Sequence, residues 1–298
     1  MKQQIQFYSD GMCLAGELYT PPDFDPGKKY PAILVGGSWT TVKEQMSGLY
    51  ASLLAQQGFI TLAIDPRNFG GSEGVPRFWE NPTFKIADYK NAITYLQQVP
   101  GTHADNIFLA AICASAGYLA TLAGQDQRVK GLATVAAWLH DREAVNLIYG
   151  GIELVQSKIM KAREAKQKFA ETGIVEYVPA VSITDPAAAM FGNFSYYLDP
   201  ERGGIPQWSA DKFAVASWED WLTFDPMPAA KTLNIPMLMV HSDNAALPDN
   251  AKRFFDDIPH SDKLLHWAEG EQFDFYDQPK QVSDAVAAMN VFFKGNLN

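Results

Sequence analysis

The chain has 298 residues, a net charge of −10, 47% hydrophobic residues and 19% charged residues. That balance fits one large globular domain with a sizeable core, in the size range where α/β folds run as a single unit. It argues against a membrane span, because no run nears the ~18–20 apolar residues a span needs, and against a nucleic-acid partner, because phosphate binding needs a basic face. The first residues, Met1 to Gln6, lack the apolar stretch of a secretory leader. Cys13 and Cys113 are the two cysteines, too few for a disulfide framework or, alone, a zinc site. The reading is therefore a cytoplasmic protein with no metal and no cofactor.

In chain order, residues 5–7 and 14–19 read as an antiparallel pair turning at Asp10-Gly11. Residues 32–35 form a short apolar run closed by Gly36-Gly37, the pattern of a buried parallel strand. A helix over 47–57 stops at Gly58, and a strand over 59–64 ends at Asp65-Pro66. The rhythm continues with a helix over 86–99, a strand over 106–112, a helix over 117–124 and a strand over 129–138. Further on come a strand over 236–241, a helix over 249–257, a strand over 263–267 and a helix over 282–293. Such alternation predicts an α/β fold, a mostly parallel central sheet with helices on both faces. Its ligands bind at the carboxyl ends of the strands.

Residues 142–222 interrupt this rhythm. One or two helices rich in Lys, Glu and Ala fill 143–168. Beyond them lie Tyr177, Phe191, Phe194, Tyr196, Tyr197, Trp208, Phe213, Trp218 and Trp221. The reading is a core of 1–141 and 223–298 with an inserted helical, aromatic lid over 142–222. A second packing layer or an oligomer contact is the alternative use of that segment.

The stretch Asn106-Ile107-Phe108-Leu109-Ala110-Ala111-Ile112-Cys113-Ala114-Ser115-Ala116-Gly117-Tyr118 is a strand, a run of small residues and a helix. It resembles the nucleophile elbow of the α/β-hydrolase superfamily, where small neighbours allow a sharp strand-to-helix turn. Two residues compete for the nucleophile's place. Ser115 has Gly117 at +2 and half-fits Gly-x-Ser-x-Gly. Cys113 has Ala111 at −2 and half-fits the Gly-x-Cys-x-Gly of dienelactone-hydrolase-like members. Strand length and the distance to the next strand favour Cys113. Gly36-Gly37-Ser38-Trp39 stands where the superfamily keeps its oxyanion loop. The resemblance thus implies a hole built from backbone N–H groups near Ser38 or Trp39 with that of Ala114 or Ala116. Lys43-Glu44-Gln45 and the loop from Asp65 to Gly74, similar to Asp-x-Arg-Gly-x-Gly-x-Ser, carry the same likeness.

The resemblance implies an acid and a base in later loops. Asp243, in Ser242-Asp243-Asn244, is the candidate acid. The base position falls on Gln272, in Glu269-Gly270-Glu271-Gln272-Phe273-Asp274-Phe275-Tyr276. An amide has no usable proton affinity near neutral pH. Of the five histidines, His103, His241, His260 and His266 look structural or remote. His140, at the expected carboxyl end of the strand beside the elbow, is the candidate substitute base, oriented by Asp141 or Asp243. A thiolate nucleophile tolerates a weak base better than a serine does.

The implied function is hydrolysis of a small ester, thioester or lactone. The alternative is a non-hydrolytic or ligand-binding use of the same fold, as a lyase, isomerase or acyl transferase. The partner expected is a small acyl substrate, and a homo-oligomer stays open.

Overall fold

The computed structural model describes residues 1–297. β1 (Lys2–Ser9) and β2 (Met12–Tyr19) form the opening hairpin, followed by β3 (Tyr30–Gly36), α1 (Met46–Gln56) and β4 (Ile60–Ile64). Then come α2 (Pro82–Gln98), β5 (Thr102–Ile112), α3 (Ser115–Ala123) and β6 (Val129–Val135). Between β6 and the next sheet strand lie α4 (Arg142–Ile148), α5 (Ile152–Thr172), the two-residue strands β7 (Tyr177–Val178), β8 (Val181–Ser182) and β9 (Met190–Phe191), α6 (Ser195–Leu198), β10 (Phe213–Ala214) and α7 (Ser217–Thr223). A short 3-10 turn leads to β11 (Met237–His241), α8 (Pro248–Asp257), β12 (Lys263–Trp267), α9 (Asp274–Asp277) and α10 (Pro279–Gly295).

Eight strands make one sheet in the order β1-β2-β4-β3-β5-β6-β11-β12. β2 runs antiparallel to β1 and β4, and every other pair is parallel. β4 and β11 are buried along their whole length, as their mainly apolar sequences require when helices cover both faces. β1 instead alternates exposed and buried residues, as an edge strand covered on one face does. This is the α/β-hydrolase fold. Among the described residues, no helix is long and apolar enough to cross a membrane.

Two of the boundaries that differ from the sequence reading, and one choice it left open, bear on the site or its lid. α2 starts four residues early because Asn81 caps it, its side chain accepting from the Phe84 N–H at 3.0 Å, with Pro82 in the first turn. The 143–168 stretch, read as one or two helices, is two, α4 and α5, parted at Gly150-Gly151, which take φ of +86° and +101°. β6 ends at Val135 rather than 138, because Ala136 turns out of the sheet with φ +44°. That early end moves His140 away from the strand terminus.

Candidate active site

Cys113 follows β5 directly and carries φ +60°, a left-handed backbone that costs a non-glycine residue about 1 kcal/mol or more. Backbone bonds hold it there. Its N–H donates to the Val135 carbonyl at 3.0 Å, and its own carbonyl accepts from Trp138 and Ala116, each at 3.0 Å. The bend aims the side chain out of the sheet, into a cavity of about 430 Å³ at the carboxyl ends of the strands. Small neighbours are obligatory. A Cβ on Gly36 would sit 2.6 Å from Ser115 Cβ, and one on Gly117 would sit 2.9 Å from Pro226 Cβ.

The Cys113 thiol meets four hydrogen-bonding groups: the hydroxyls of Ser38 and Tyr276, and the backbone N–H groups of Ala114 and Trp39. Burial pushes the thiol above its ordinary range, against the pull of those four donors. The hydroxyls are linked. Ser38 Oγ lies 2.8 Å from the Tyr197 hydroxyl and 3.0 Å from that of Tyr276. Burial, followed by the neighbouring Cys113, lifts both tyrosines well above their usual range, so they are neutral donors.

Gln272 closes the far side of this array. Its Nε2 donates to the Ala136 carbonyl at 2.9 Å and to the Tyr276 hydroxyl at 3.1 Å, and its Oε1 accepts from the Ala246 N–H at 2.8 Å. All three bonds fix an amide where a base would have to stand. The loop residue facing it, Ala246, has no carboxylate to orient one. Much of the rest of the wall is aromatic, with Trp39, Trp138, Tyr149, Phe194, Trp221 and Phe273 in it. Among the described residues, no carboxylate and no histidine lines this cavity.

The comparisons with known proteins agree with this geometry at the level of family. The model of the X-Pro dipeptidyl-peptidase (S15 family) matches residues 10–267. The chain belongs to this family. It is similar to uncharacterized protein YcjY of Escherichia coli K12, 30% identical over 315 aligned positions covering all of both chains. It is also similar to thiohydrolase aneE of Aspergillus aculeatus, 28% identical over 185 residues, 61% of this chain and 57% of that one. Acyltransferase drtE of Aspergillus calidoustus is 25% identical over 289 residues, 91% of this chain and 87% of that one. Among solved structures, hypothetical protein PA2218 from Pseudomonas aeruginosa superposes with a TM-score of 0.88 at 24% identity, covering 100% of this chain and 94% of that one. Family and fold together make this S15-family chain an enzyme of the α/β-hydrolase type.

Within the S15-family chain, the other residues singled out from sequence lie elsewhere. Ser115 is fully buried, faces β3 and donates its Oγ to the Ile112 carbonyl at 3.0 Å. The Ala116 N–H is spent on the Cys113 carbonyl. His140 has both ring nitrogens engaged: Nδ1 accepts from Trp138 Nε1 at 2.8 Å, and Nε2 donates to the Phe224 carbonyl at 2.7 Å. Burial pulls its pKa down to about 4. Asp141 does not orient it, because that carboxylate caps α4 through the Ala144 N–H and pairs with Arg253. Asp243 is exposed and bonded to Lys252 at 3.0 Å. His241 stacks on Trp267 and accepts from the Ser242 N–H.

Two residues named in the sequence reading, one in the lid and one in the Gln272 segment, have a site role that reading did not give them. Tyr197 and Tyr276 supply hydroxyls from segments far along the chain. For Tyr276 a signal existed, since it stands four residues after Gln272 and so returns to the same side of a helical turn.

Proposed function

We propose that the chain accepts an acyl group from a thioester on Cys113 and passes it to an acceptor. The carrying observation is Cys113 itself, on a strained elbow with the Trp39 and Ala114 N–H groups converging on its sulfur. Ser115, buried against Gly36, is a packing residue in this reading, and His140 and Asp243 are structural. Two N–H donors so placed are the geometry that stabilises an oxyanion on an adjacent carbonyl.

In the first step Sγ bonds to the carbonyl carbon. The carbonyl electrons move onto the oxygen, which the Trp39 and Ala114 N–H groups hold. The C–S bond to the carrier then breaks. The Cys113 proton travels through the Tyr276 and Ser38 hydroxyls to the departing sulfur. The products are a Cys113 acyl thioester and a free thiol. An acceptor thiol or alcohol then bonds to the carbonyl carbon, the C–Sγ bond breaks, and the acceptor's proton returns through the same hydroxyls to Sγ.

A thioester suits this site for a stated reason. Thiol and leaving group have similar proton affinity, so exchange needs no strong base. A peptide nitrogen has to be protonated to leave, and no histidine or carboxylic acid lines the cavity for that. Relatives bearing the words thiohydrolase and acyltransferase support the same reading. The segment 142–222 supplies Tyr149, Phe194, Tyr197 and Trp221 to the cavity and serves as its lid.

The test is intact-protein mass spectrometry after incubation with acyl N-acetylcysteamine thioesters. The expected result is one acyl adduct, mapped to Cys113, retained in Ser115→Ala and absent in Cys113→Ala. An unmodified wild type, also inert to iodoacetamide while folded, rejects the reading. It would favour a ligand-holding protein, the use to which Gln272 and the raised thiol also point.

A further inference from the structure

We propose that Lys158 on α5 binds an anionic group of the substrate, so that the pocket selects acyl thioesters carrying a negative charge. This rests on the acyl-transfer reading above. Three observations carry it.

Lys158 is the one charged side chain on the cavity wall, among the described residues; the other lining groups are aromatic, aliphatic or neutral polar. It is half-buried, and its ammonium lies 4.2 Å from the centre of the Trp218 ring. That ring holds the cation in place without neutralising it.

The carboxylates of the facing helix are committed elsewhere. On α7, Glu219 pairs with Arg163 at 2.6 Å and Lys166 at 2.8 Å. Asp220 pairs with Lys166 at 2.9 Å and accepts from Trp79 Nε1 at 2.7 Å. Lys158 therefore has no ion-pair partner among the described residues, in a chain whose net charge is −10. An acidic protein that leaves one cation facing its pocket has a charge for a ligand to satisfy. Burial, then Lys161, lowers the ammonium below its ordinary range, as an unpaired cation in a partly dry site should be.

Lys158 is also separate from the reacting atoms. Its ammonium rests on Trp218, whose ring centre is 6.2 Å from that of Trp39, and not on Cys113, Ser38 or Tyr276. A substrate whose carbonyl lies at the Trp39 N–H would put its far end, rather than its reacting end, toward the ammonium. Lys158 thus sets specificity and is no part of the proton path.

The experiment uses Cys113→Ala protein, so that ligands bind without reacting, and titration calorimetry. The ligands are ω-carboxyacyl N-acetylcysteamine thioesters and their methyl-terminated counterparts of equal length. The carboxylate ligand is expected to bind about ten- to a hundredfold more tightly, the worth of a charge-assisted hydrogen bond. Adding Lys158→Met should erase that preference and leave the neutral ligand unchanged, while Lys158→Arg keeps it. With Lys158 in place, added salt should narrow it. A phosphopantetheine thioester of an uncharged acyl group, anionic only at its phosphate, is a further arm. A Lys158-dependent gain there alone places the anion on the thiol side of the substrate rather than the acyl side.

Equal binding of charged and neutral ligands with Lys158 intact, with no gain for the phosphopantetheine ligand, overturns the proposal. So does an equal loss of both ligands in Lys158→Met. The two readings fail separately. A carboxylate preference without any Cys113 adduct removes the reaction and keeps the anion site, and an adduct without the preference does the reverse.

Discussion

At the scale of single residues, the elbow is a packing problem before it is a chemical one. Ser115 and Gly36 are a complementary pair: the serine Cβ occupies the space a Gly36 side chain would need. Gly36→Ala should cost about 1–3 kcal/mol by overpacking. Adding Ser115→Gly should return part of that loss, so the two changes will not sum in urea denaturation. Simple additivity would show that the strain is absorbed elsewhere.

His140 makes a second residue-level prediction. Its neutral ring is locked as the Nε2–H form by Trp138 and Phe224. Its folded pKa of about 4 lies below the ordinary value of 6.5. Between those values the unfolded chain binds the proton and the folded chain does not. The contribution is therefore complete above about pH 6.5 and is lost as pH falls toward 4. It amounts to about 3 kcal/mol. Denaturation midpoints should fall through that window, and His140→Gln should flatten the fall. An unchanged slope in that variant would assign the acid sensitivity to other groups.

At the scale of elements, the parallel strands were readable because burial on both faces forces mainly apolar runs such as Ala32 to Val35. The elbow was readable because its backbone admits only small neighbours, and those leave a trace in sequence. The early start of α2 was masked by Pro82, which reads as a breaker until Asn81 is recognised as a cap. The role expected of His140 depended on where β6 ended, and the positive φ of Ala136, which ends it, is a backbone conformation that an alanine does not announce in sequence. Apart from the spacing of Tyr276 from Gln272, the hydroxyl cluster was unreadable because its contacts are long-range. Ser38 meets Tyr197 and Tyr276 across 159 and 238 residues of chain. The break between α4 and α5 yields its own prediction. Gly151 sits at φ +101° with open space where a Cβ would be. Gly151→Ala should therefore lose about 1 kcal/mol from backbone strain alone, measured by urea denaturation, with no steric defect to relieve elsewhere.

At the scale of the whole molecule, many tyrosines are buried as neutral phenols. Burial raises the pKa of Tyr50, Tyr118, Tyr197 and Tyr276, with further lifts from Glu80 on Tyr118 and from Cys113 on Tyr197 and Tyr276. The unfolded chain loses these protons first, near pH 10. Stability is thus fully present below that value and falls as pH rises beyond it. Thermal midpoints should hold through mildly alkaline buffers and then drop steeply. A flat profile past pH 11 would mean the phenols are more accessible than their burial indicates.

The aromatic wall has a consequence of its own. Three of the seven tryptophans, Trp39, Trp138 and Trp221, border the cavity. Indole emission responds to the polarity and contacts around the ring. Filling the cavity changes those for all three at once. The protein therefore carries its own optical reporter of occupancy, and a ligand of any chemistry can be found by the colour of its light without a label or a turnover assay.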